Sequence, residues 1–297
     1  MKIKTIVSRA RAVLPFADKA GDDALLLLGS GRSGTTWLSE LILQKGTRFI
    51  FEPFKPDNSF LSEKFFHRQY INPLDDRVLH AKDIQKILAG DLRSKWTDQY
   101  NNQFFYDKRL IKAIRGNLLA AWVLRNYPEA KLAYIIRDPF AVCASQARGA
   151  WPADPKRYLE QTSLVDAELS QFLDLIDIAE GNFQKNILHW AIENYIPLKH
   201  LKELTTAEAS RFKIFEYDIL RKDMDALEEF LVFCDVADVQ SALLKVKNPS
   251  RVTRKGKVNS SGEAWRNLSQ ADIDFAKTCL NRTYLMPYVH VGVWNDE

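Results

Sequence analysis

Short, mainly apolar runs alternate along the chain with stretches in which apolar residues recur at helical spacing. Runs of this kind predict strands that are buried on both faces of a parallel sheet. They are Leu25–Leu28, Phe49–Phe51, Leu110–Ile114, Leu132–Ile136 and the more alternating Phe212–Tyr217. Helical patterns follow three of them, at Thr36–Leu43, Asn117–Arg125 and Phe140–Arg148. Strands and helices in this order predict an α/β fold, a three-layer sandwich around a central parallel sheet.

The remaining segments differ from this pattern. Residues 158–204 have a strong helical period that Gly181 and Asn182 are expected to divide into two helices, and Asp223–Cys234 predicts another amphipathic helix. Residues 56–103 have no clear period and combine charges with aromatic side chains, so we interpret them as an insertion that forms a lid over an acceptor site. We expect residues 1–297 to form a single domain, with a basic N-terminal extension at residues 1–22.

Composition narrows the class of protein. The 297 residues are 46% hydrophobic, enough for a substantial core, and the net charge of +4 is too diffuse to favour nucleic acid as a partner. Cys143, Cys234 and Cys279 are too widely spaced to indicate a disulfide framework or a zinc site. Apolar runs fall short of the ~20 residues that span a bilayer, and charges interrupt the N-terminal segment before a signal sequence forms. We expect a cytoplasmic protein whose oligomeric state the sequence leaves open.

A glycine-rich segment, residues 29–36, lies between the first predicted strand and its helix. Successive backbone N–H groups in such a loop, together with the helix N-terminus, attract anions. The nucleotide-binding pattern G-x-x-x-x-G-K-[ST] fits from Gly29 onward except at one position, where Thr35 replaces the lysine. The cation of this loop stands earlier, at Arg32. The segment therefore predicts a site for phosphate-like oxygens and disfavours an ordinary ATPase.

Arg-Ser-Gly-Thr-Thr at residues 32–36 resembles the 5′-phosphosulfate loop of sulfotransferases, which use 3′-phosphoadenosine 5′-phosphosulfate (PAPS) as sulfuryl donor. Two further motifs occur in the family's order. Arg137 at a strand end and Ser145 eight positions later resemble the family's 3′-phosphate segment. Arg-Lys-Gly at residues 254–256 is similar to the basic loop that closes on the same phosphate, and residues 262–267 resemble the stretch downstream of it. The resemblance extends from about residue 25 to residue 267.

The resemblance implies an enzyme that binds PAPS, releases 3′-phosphoadenosine 5′-phosphate (PAP) and needs no metal, because protein cations neutralise the transferring group. It implies that Arg32 and Lys112 contact that group, that Trp37 stacks on adenine and that the Tyr217 hydroxyl reaches adenine. The forked guanidinium of Arg32 can bind two oxygens at once. The cofactor-binding residues that it implies are Gly31, Arg32, Ser33, Gly34, Thr35, Thr36, Trp37, Arg137, Ser145, Tyr217, Arg254, Lys255 and Gly256.

The general base needs a separate argument. Cytosolic members of the family use a histidine on the third strand, and Ile114 stands at that position here. We favour Glu52, which follows an apolar strand at the same edge of the sheet and whose distance from Arg32 resembles that of the catalytic glutamate in members with an arginine in the loop. A structural ion pair of Glu52 with a loop cation is the alternative. His67 and His80, in the insertion, have no metal-ligand spacing but could enter an acceptor site.

These observations predict a sulfotransferase that transfers the sulfuryl group of PAPS, by in-line displacement, to a hydroxyl or amine of a carbohydrate, lipid or small-metabolite acceptor. Catalytic roles fall to Glu52, Arg32 and Lys112. Two alternatives stay open: a P-loop nucleotide kinase or NTPase, and a non-catalytic nucleotide-binding relative. Thr35 in the lysine position argues against the first of them.

Overall fold

Parallel strands form a central sheet in the computed structural model, which describes residues 17–19, 23–56, 61, 65–151, 153–247 and 268–290. In chain order the strands are β1 (Ala17–Asp18), β2 (Ala24–Gly29), β3 (Thr47–Phe51), β4 (Phe105–Tyr106), β5 (Lys108–Ala113), β6 (Ala130–Ile136) and β7 (Phe212–Glu216). Five of them form the main sheet in the order β3-β5-β2-β6-β7, and β1 pairs with β4 separately. Every pairing is parallel, which confirms the predicted fold class.

Helices connect the strands and cover both faces of the sheet. They are α1 (Thr35–Ile42), α2 (Ala81–Leu88), α3 (Ala120–Asn126), α4 (Pro139–Arg148), α5 (Thr162–Glu168), α6 (Leu173–Ile178), α7 (Gly181–Leu201), α8 (Thr206–Ala209), α9 (Tyr217–Leu220), α10 (Met224–Phe233), α11 (Val239–Leu244) and α12 (Gln270–Asn281), with 3₁₀ turns at Asn117–Leu119, Pro155–Glu160, Lys245–Lys247 and Met286–Tyr288. No helix within the described ranges combines the length and the apolar character needed to cross a bilayer.

The helical stretch after residue 158 is divided more often than the sequence predicted. Gly181 begins α7 with a φ of +61°, just after Ala179 adopts an extended conformation and ends α6. A further interruption separates α5 from α6, so the segment contains three helices and part of a 3₁₀ turn. The apolar positions of the periodic pattern are mostly buried, although Leu173 is 38% exposed. The pattern did not indicate this interruption, because a short turn between two helices on the same core preserves the spacing of apolar residues.

The core lies in two layers, one on each face of the sheet. Leu26 and Leu28 of β2 point to one face and pack in a cluster that contains Trp190 of α7. Leu27, between them, points to the other face and packs in a cluster that contains Phe230 of α10. Because successive side chains of a strand alternate between faces, a strand buried on both sides must be apolar throughout, as β2 is.

Buried charges attach the insertion to the edge of the sheet. Arg48 of β3 is fully buried and forms ion pairs of 2.9 Å with Asp98 of the insertion and of 2.9 Å with Asp18 of β1. The same Asp18 pairs with Arg109 of β5 at 3.0 Å. A buried guanidinium is costly unless charge and hydrogen bonds compensate it. This network therefore fixes the end of the insertion next to the strand that leads to Glu52.

Candidate active site

The glycine-rich segment connects β2 to α1 at the carboxyl edge of the sheet, where ligands bind in open α/β folds. Gly34 precedes α1 with a φ of +92°, a conformation that side chains disfavour. The ring of Tyr217 lies so close that a Cβ atom on Gly34 would be 2.1 Å from it. Tyr217 thus covers the start of α1, the part of the loop where backbone N–H groups are available to an anion.

Replacement of Gly34 by alanine is expected to destabilise the fold by roughly 1–3 kcal/mol and to weaken anion binding, because both the φ angle and the Tyr217 ring oppose a Cβ atom. Urea unfolding would measure the first effect and titration with PAP the second. Gly181→Ala is the matched control, since Gly181 also has a positive φ, of +61°, but nothing lies within 4 Å of its added Cβ. Equal losses in both variants would show that the contact with Tyr217 is irrelevant.

Buried amide side chains hold the loop in place. The Asn117 side-chain oxygen accepts a hydrogen bond from the Gly29 N–H at 3.2 Å, and the Asn194 amide donates to Ser30 Oγ at 2.8 Å. Gln146 donates to the carbonyl of Gly31 at 3.1 Å. Sequence reasoning missed these three amides as supports of the loop. A buried amide at an apolar position of a helical pattern, such as Asn194 in α7, was the available signal.

Arg32, Arg137 and Ser145 meet at the loop. The Arg32 Nε donates to Ser145 Oγ at 2.9 Å, and Arg137 donates to the backbone carbonyl of Arg32 at 3.0 Å. Burial lowers the pKa of Arg32, and the charges of Arg137 and Arg148 lower it further. Within the described ranges, no carboxylate pairs with any of these three arginines. A convergence of cations without an acid partner is suited to binding an anion.

Three buried donors on residues in or next to the loop have no partner in the described structure. They are the hydroxyl of Ser33, which is fully buried, the Nε of Arg137 and the indole Nε1 of Trp37. Buried polar groups are normally hydrogen-bonded, so such donors indicate an expected acceptor. Phosphate or sulfonate oxygens have the required chemistry, and the residues around the loop therefore fit a phosphosulfate group.

Aromatic rings lie next to this anion site. Trp37 and Tyr217 meet edge to face with ring centroids 5.9 Å apart. The guanidinium of Arg137 lies 4.6 Å from the centre of the Tyr217 ring, and that of Arg221 lies 4.9 Å from the centre of the Trp37 ring. The two residues that the family resemblance connects with adenine are therefore adjacent, and Arg137 joins them to the loop.

Glu52 lies at the end of β3 with a φ of +46° and is 3% exposed. Its carboxylate accepts hydrogen bonds from Lys112 Nζ at 2.6 Å, from Arg115 at 3.2 Å and from the Ile114 N–H at 3.2 Å. Two cations and a backbone donor stabilise the negative charge of this carboxylate. The positive φ in a residue other than glycine is a strained conformation of the kind that clusters at functional sites.

One histidine of the insertion reaches this carboxylate through an arginine. The Arg115 Nε donates to His67 Nε2 at 3.2 Å, while another nitrogen of Arg115 contacts Glu52. His80 instead precedes α2 and packs against Phe65 with ring centroids 4.9 Å apart; burial lowers its pKa. The structure thus brings His67, but not His80, to the neighbourhood of Glu52.

Two partly exposed tryptophans flank the space between Glu52 and the loop. Trp96 is 37% exposed and donates a hydrogen bond to the carbonyl of Glu52 at 3.2 Å. Trp151 is 45% exposed, and its ring would be 2.9 Å from a Cβ atom on Gly31. The side chain of Ile114 lies on the same glycine. One tryptophan thus contacts the residue proposed as the base and the other contacts the loop, and partly exposed aromatic rings of this kind suit contact with an organic acceptor.

The roles of several predicted site residues stay predictions. Arg254, Lys255 and Gly256 are not among the described residues, so their role stays a prediction. The roles of Thr35 and Thr36, which begin α1, also stay predictions. Among the residues that the structure describes, no group of three or more His, Cys, Asp or Glu side chains could hold a metal ion.

The fold and this site define an α/β protein with a glycine-rich loop between the central strand and its helix, in which Thr35 stands at the lysine position of the nucleotide-binding pattern and Arg32 supplies a cation earlier in the loop. The model of the sulfotransferase family (Sulfotransfer_3) matches residues 24–186, more than half of the chain. The chain therefore belongs to the sulfotransferase family. A search of curated proteins gave no match.

Solved structures with a similar fold are also sulfotransferases. The sulfotransferase domain from the curacin biosynthetic pathway is 17% identical, with 89% of this chain and 97% of that chain covered and a TM-score of 0.43. The sulfotransferase from Alicyclobacillus acidocaldarius is 12% identical, with 92% of this chain and 98% of that chain covered and a TM-score of 0.46. Mouse sulfotransferase SULT7A1, complexed with PAP, is 13% identical, with 89% and 85% covered and a TM-score of 0.44. Because these TM-scores are below 0.5, the assignment rests on the family model.

Proposed function

We propose that this protein transfers the sulfuryl group of PAPS to a hydroxyl or amine of a carbohydrate, lipid or small-metabolite acceptor. The observation that carries the proposal is the arrangement of Arg32, Arg137 and Ser145 around a loop with unpartnered buried donors. The arginine-containing loop and the order of the motifs that resemble those of sulfotransferases support PAPS rather than a nucleoside triphosphate as donor, and membership of the sulfotransferase family agrees with this choice.

The donor would lie along the carboxyl edge of the sheet. The loop N–H groups and Arg32 would hold the phosphosulfate, Arg137 and Ser145 the 3′-phosphate, and Trp37 with Tyr217 the adenine. PAPS supplies the sulfuryl group, and PAP leaves with the bridging oxygen. Positive charge on both sides of the transferring group stabilises the charge that develops on those oxygens.

Glu52 would act as general base. It takes the proton of the acceptor hydroxyl while a bond forms between the acceptor oxygen and sulfur, and the bond from sulfur to the 5′-phosphate oxygen breaks. Lys112 lies 2.6 Å from the Glu52 carboxylate, at the end of the neighbouring strand β5, and would contact the sulfonate oxygens from there. Lys112 and Arg115 hold the Glu52 carboxylate in a fixed orientation, as the positioning of a general base requires.

The same contacts favour a second candidate, a non-catalytic nucleotide-binding member of the family. In that case the ion pairs of Glu52 with Lys112 and Arg115 would only fix the strand ends. Turnover separates the two candidates, since a binding protein would retain PAP affinity without releasing PAP from PAPS. A nucleotide kinase or NTPase is less well supported, because Thr35 replaces the P-loop lysine.

A reducing compartment such as the cytoplasm suits this enzyme. Cys143, Cys234 and Cys279 are free and buried, and burial raises the pKa of each thiol. Thiols in this state are structural and inert, as is common where disulfides do not form.

Isothermal titration with PAP and with ATP–Mg²⁺ tests the proposed donor. We expect PAP to bind without magnesium, and Arg137→Ala to weaken that binding by about 10–100-fold, the effect of losing charged hydrogen bonds to a phosphate. Arg157→Ala, which removes an exposed arginine paired with Asp154, is the control and is expected to bind like the wild type. Preference for ATP–Mg²⁺, or equal PAP affinity in Arg137→Ala, would overturn the proposal.

A further inference from the structure

A chain of polar contacts joins helix α7 to the proposed base through the insertion. Glu193 of α7 is fully buried, and its Oε2 accepts a hydrogen bond from Arg68 Nε at 2.6 Å. The Nη1 of Arg68 lies 3.0 Å from His67 Nδ1. Arg115 Nε donates to the other ring nitrogen, His67 Nε2, and Arg115 Nη1 donates to Glu52 Oε2, both at 3.2 Å. One imidazole thus connects the arginine on Glu52 to a residue that is anchored on α7.

Burial fixes the far end of this chain of contacts. A buried carboxylate is costly unless charge and hydrogen bonds compensate it. His189 lies 3.6 Å from Glu193 Oε2, but burial lowers the pKa of His189 well below its usual value, and the charges of Arg68 and His67 lower it further. A neutral His189 leaves Arg68, which is itself buried, to balance the charge of Glu193. Arg68 also has a φ of +64°, a conformation that persists only where surrounding contacts enforce it. His67 therefore lies against a guanidinium that is held in place.

At the near end, the contact with His67 restricts Arg115. The Arg115 side chain is 20% exposed, whereas that of Lys112, the other cation on Glu52, is 5% exposed. Packing therefore restricts Arg115 less than it restricts Lys112. Because a guanidinium is planar and its donors form a rigid fork, a contact at Nε limits the positions that Nη1 can take. His67 thus limits the direction from which Arg115 binds the Glu52 carboxylate.

We propose that His67 is a positioning residue for sulfuryl transfer: its Nε2 orients the guanidinium of Arg115, which in turn orients the Glu52 carboxylate toward the acceptor. This inference rests on the proposed function. The same turn of α7 supports the glycine-rich loop, since Asn194, next to Glu193, donates a hydrogen bond of 2.8 Å to it. The donor loop and the base are therefore held from one turn of α7, which suits in-line displacement because the reacting groups must keep a fixed geometry.

A simpler role for His67 would be to attach the insertion to α7 through Arg68. The two ring nitrogens separate these roles, because Arg115 donates to Nε2 and the nearest contact of Arg68 is with Nδ1. Counted in bonds from Cα, the amide oxygen of glutamine matches Nε2 and that of asparagine matches Nδ1. Glutamine at position 67 can therefore accept a hydrogen bond from Arg115, whereas asparagine is too short to do so.

The test is kcat for release of PAP from PAPS, with an acceptor found by screening, in wild type, His67→Ala, His67→Gln and His67→Asn. We expect His67→Ala to lower kcat about tenfold. This loss is smaller than the one expected for Glu52→Gln, because Lys112 and the Ile114 N–H still hold the carboxylate. His67→Gln should recover most of the loss and His67→Asn little of it. The affinity for PAP, measured by isothermal titration, should stay within about twofold of wild type in all three variants.

The double variant His67→Ala/Arg115→Met shows whether His67 acts through Arg115. Its kcat should equal that of Arg115→Met alone, because His67 has no guanidinium to orient once Arg115 is replaced. A loss in the double variant equal to the product of the two single losses would overturn the proposal. His80→Ala is the matched control, since His80 also lies in the insertion but packs against Phe65, and its kcat should match that of the wild type.

The outcomes for the proposed function and for His67 are distinguishable. If wild-type protein neither binds PAP nor releases it from PAPS, the proposed function fails. If the wild type turns over and His67→Ala keeps its kcat, only the role of His67 is overturned. Recovery by asparagine rather than glutamine, or recovery by neither, also contradicts positioning through Nε2. A loss of PAP affinity as large as the loss of kcat would assign His67 to attachment of the insertion.

Discussion

Replacement of Glu52 by glutamine is expected to lower kcat for sulfuryl transfer by about 10²–10⁴-fold, the usual contribution of a positioned general base. Glutamine keeps the size of the side chain and an oxygen acceptor for Lys112, but it cannot accept a proton from the acceptor hydroxyl. PAP affinity should change by less than about twofold, because the Glu52 carboxylate is held by Lys112, Arg115 and the Ile114 N–H, which lie outside the loop that is proposed to hold the donor. The assay is release of PAP from PAPS with an acceptor found by screening after PAP binding is established.

Loss of stability could imitate this result, because the substitution leaves the buried Lys112 beside a neutral amide. Breaking a buried ion pair costs about 3–5 kcal/mol when one charge stays behind. The double variant Glu52→Gln/Lys112→Met removes both charges and should recover stability, whereas its kcat should stay at or below that of Glu52→Gln, because Lys112 is itself proposed to contact the sulfonate. Glu168→Gln is a matched control: this carboxylate is also buried and pairs with Lys199 and His200, away from the loop. If Glu52→Gln turns over as fast as the wild type, Glu52 is not the general base, and its ion pairs only fix the strand ends.

Replacement of Arg32 by alanine is expected to lower kcat by about 10²–10³-fold, as when one donor to a developing negative charge is removed. The guanidinium emerges from the loop itself and is held by Ser145 Oγ at 2.9 Å, so it is oriented before the donor binds. The kcat of Arg32→Lys should lie between that of the wild type and that of Arg32→Ala, since lysine keeps the charge but cannot bind two oxygens in one plane. Steady-state and single-turnover rates of PAPS consumption would measure both variants.

Ser145→Ala separates the orientation of Arg32 from its charge. It removes the acceptor of the Arg32 hydrogen bond and leaves the charge in place, so we expect a loss smaller than that of Arg32→Ala. PAP affinity should also fall in Ser145→Ala if its hydroxyl contacts the 3′-phosphate. A turnover in Arg32→Ala equal to that of the wild type would show that the loop N–H groups alone neutralise the transferring group.

The sequence was most informative where the structure is determined by neighbours along the chain. Leu25–Leu28 predicted a strand buried on both faces, and β2 is the centre of the sheet, because a continuous apolar run can be accommodated only where both faces are covered. The loop after it was predicted for the same reason: a glycine-rich turn between a strand and a helix defines its own backbone. Arg137 was expected at a strand end, and it lies at the carboxyl edge near Arg32.

The supports of the site could not be predicted in this way. Asn117 and Asn194 hold the loop from positions 88 and 164 residues away from their partners. Asn117 lies in the 3₁₀ turn after β5 and Asn194 in α7, and only the packing of these elements on the sheet brings them to the loop. The contact of His67 with Arg115 likewise depends on how the insertion returns to the edge strand, which buried Arg48 determines. The sequence can indicate that an amide such as Asn194 is buried, but it does not identify its partner, because the two residues of each contact lie in different segments of the chain.

The sequence by itself therefore determined the α/β architecture, the anion-binding loop and the family motifs, since apolar periodicity, glycine positions and short spacings are local properties of the chain. Only the tertiary structure decided the environment of Glu52, with Lys112 and Arg115 on its carboxylate, and the contact of Arg32 with Ser145. The physical reason is that electrostatic environments depend on distances between side chains from different elements, and those distances exist only after the helices have packed on the sheet.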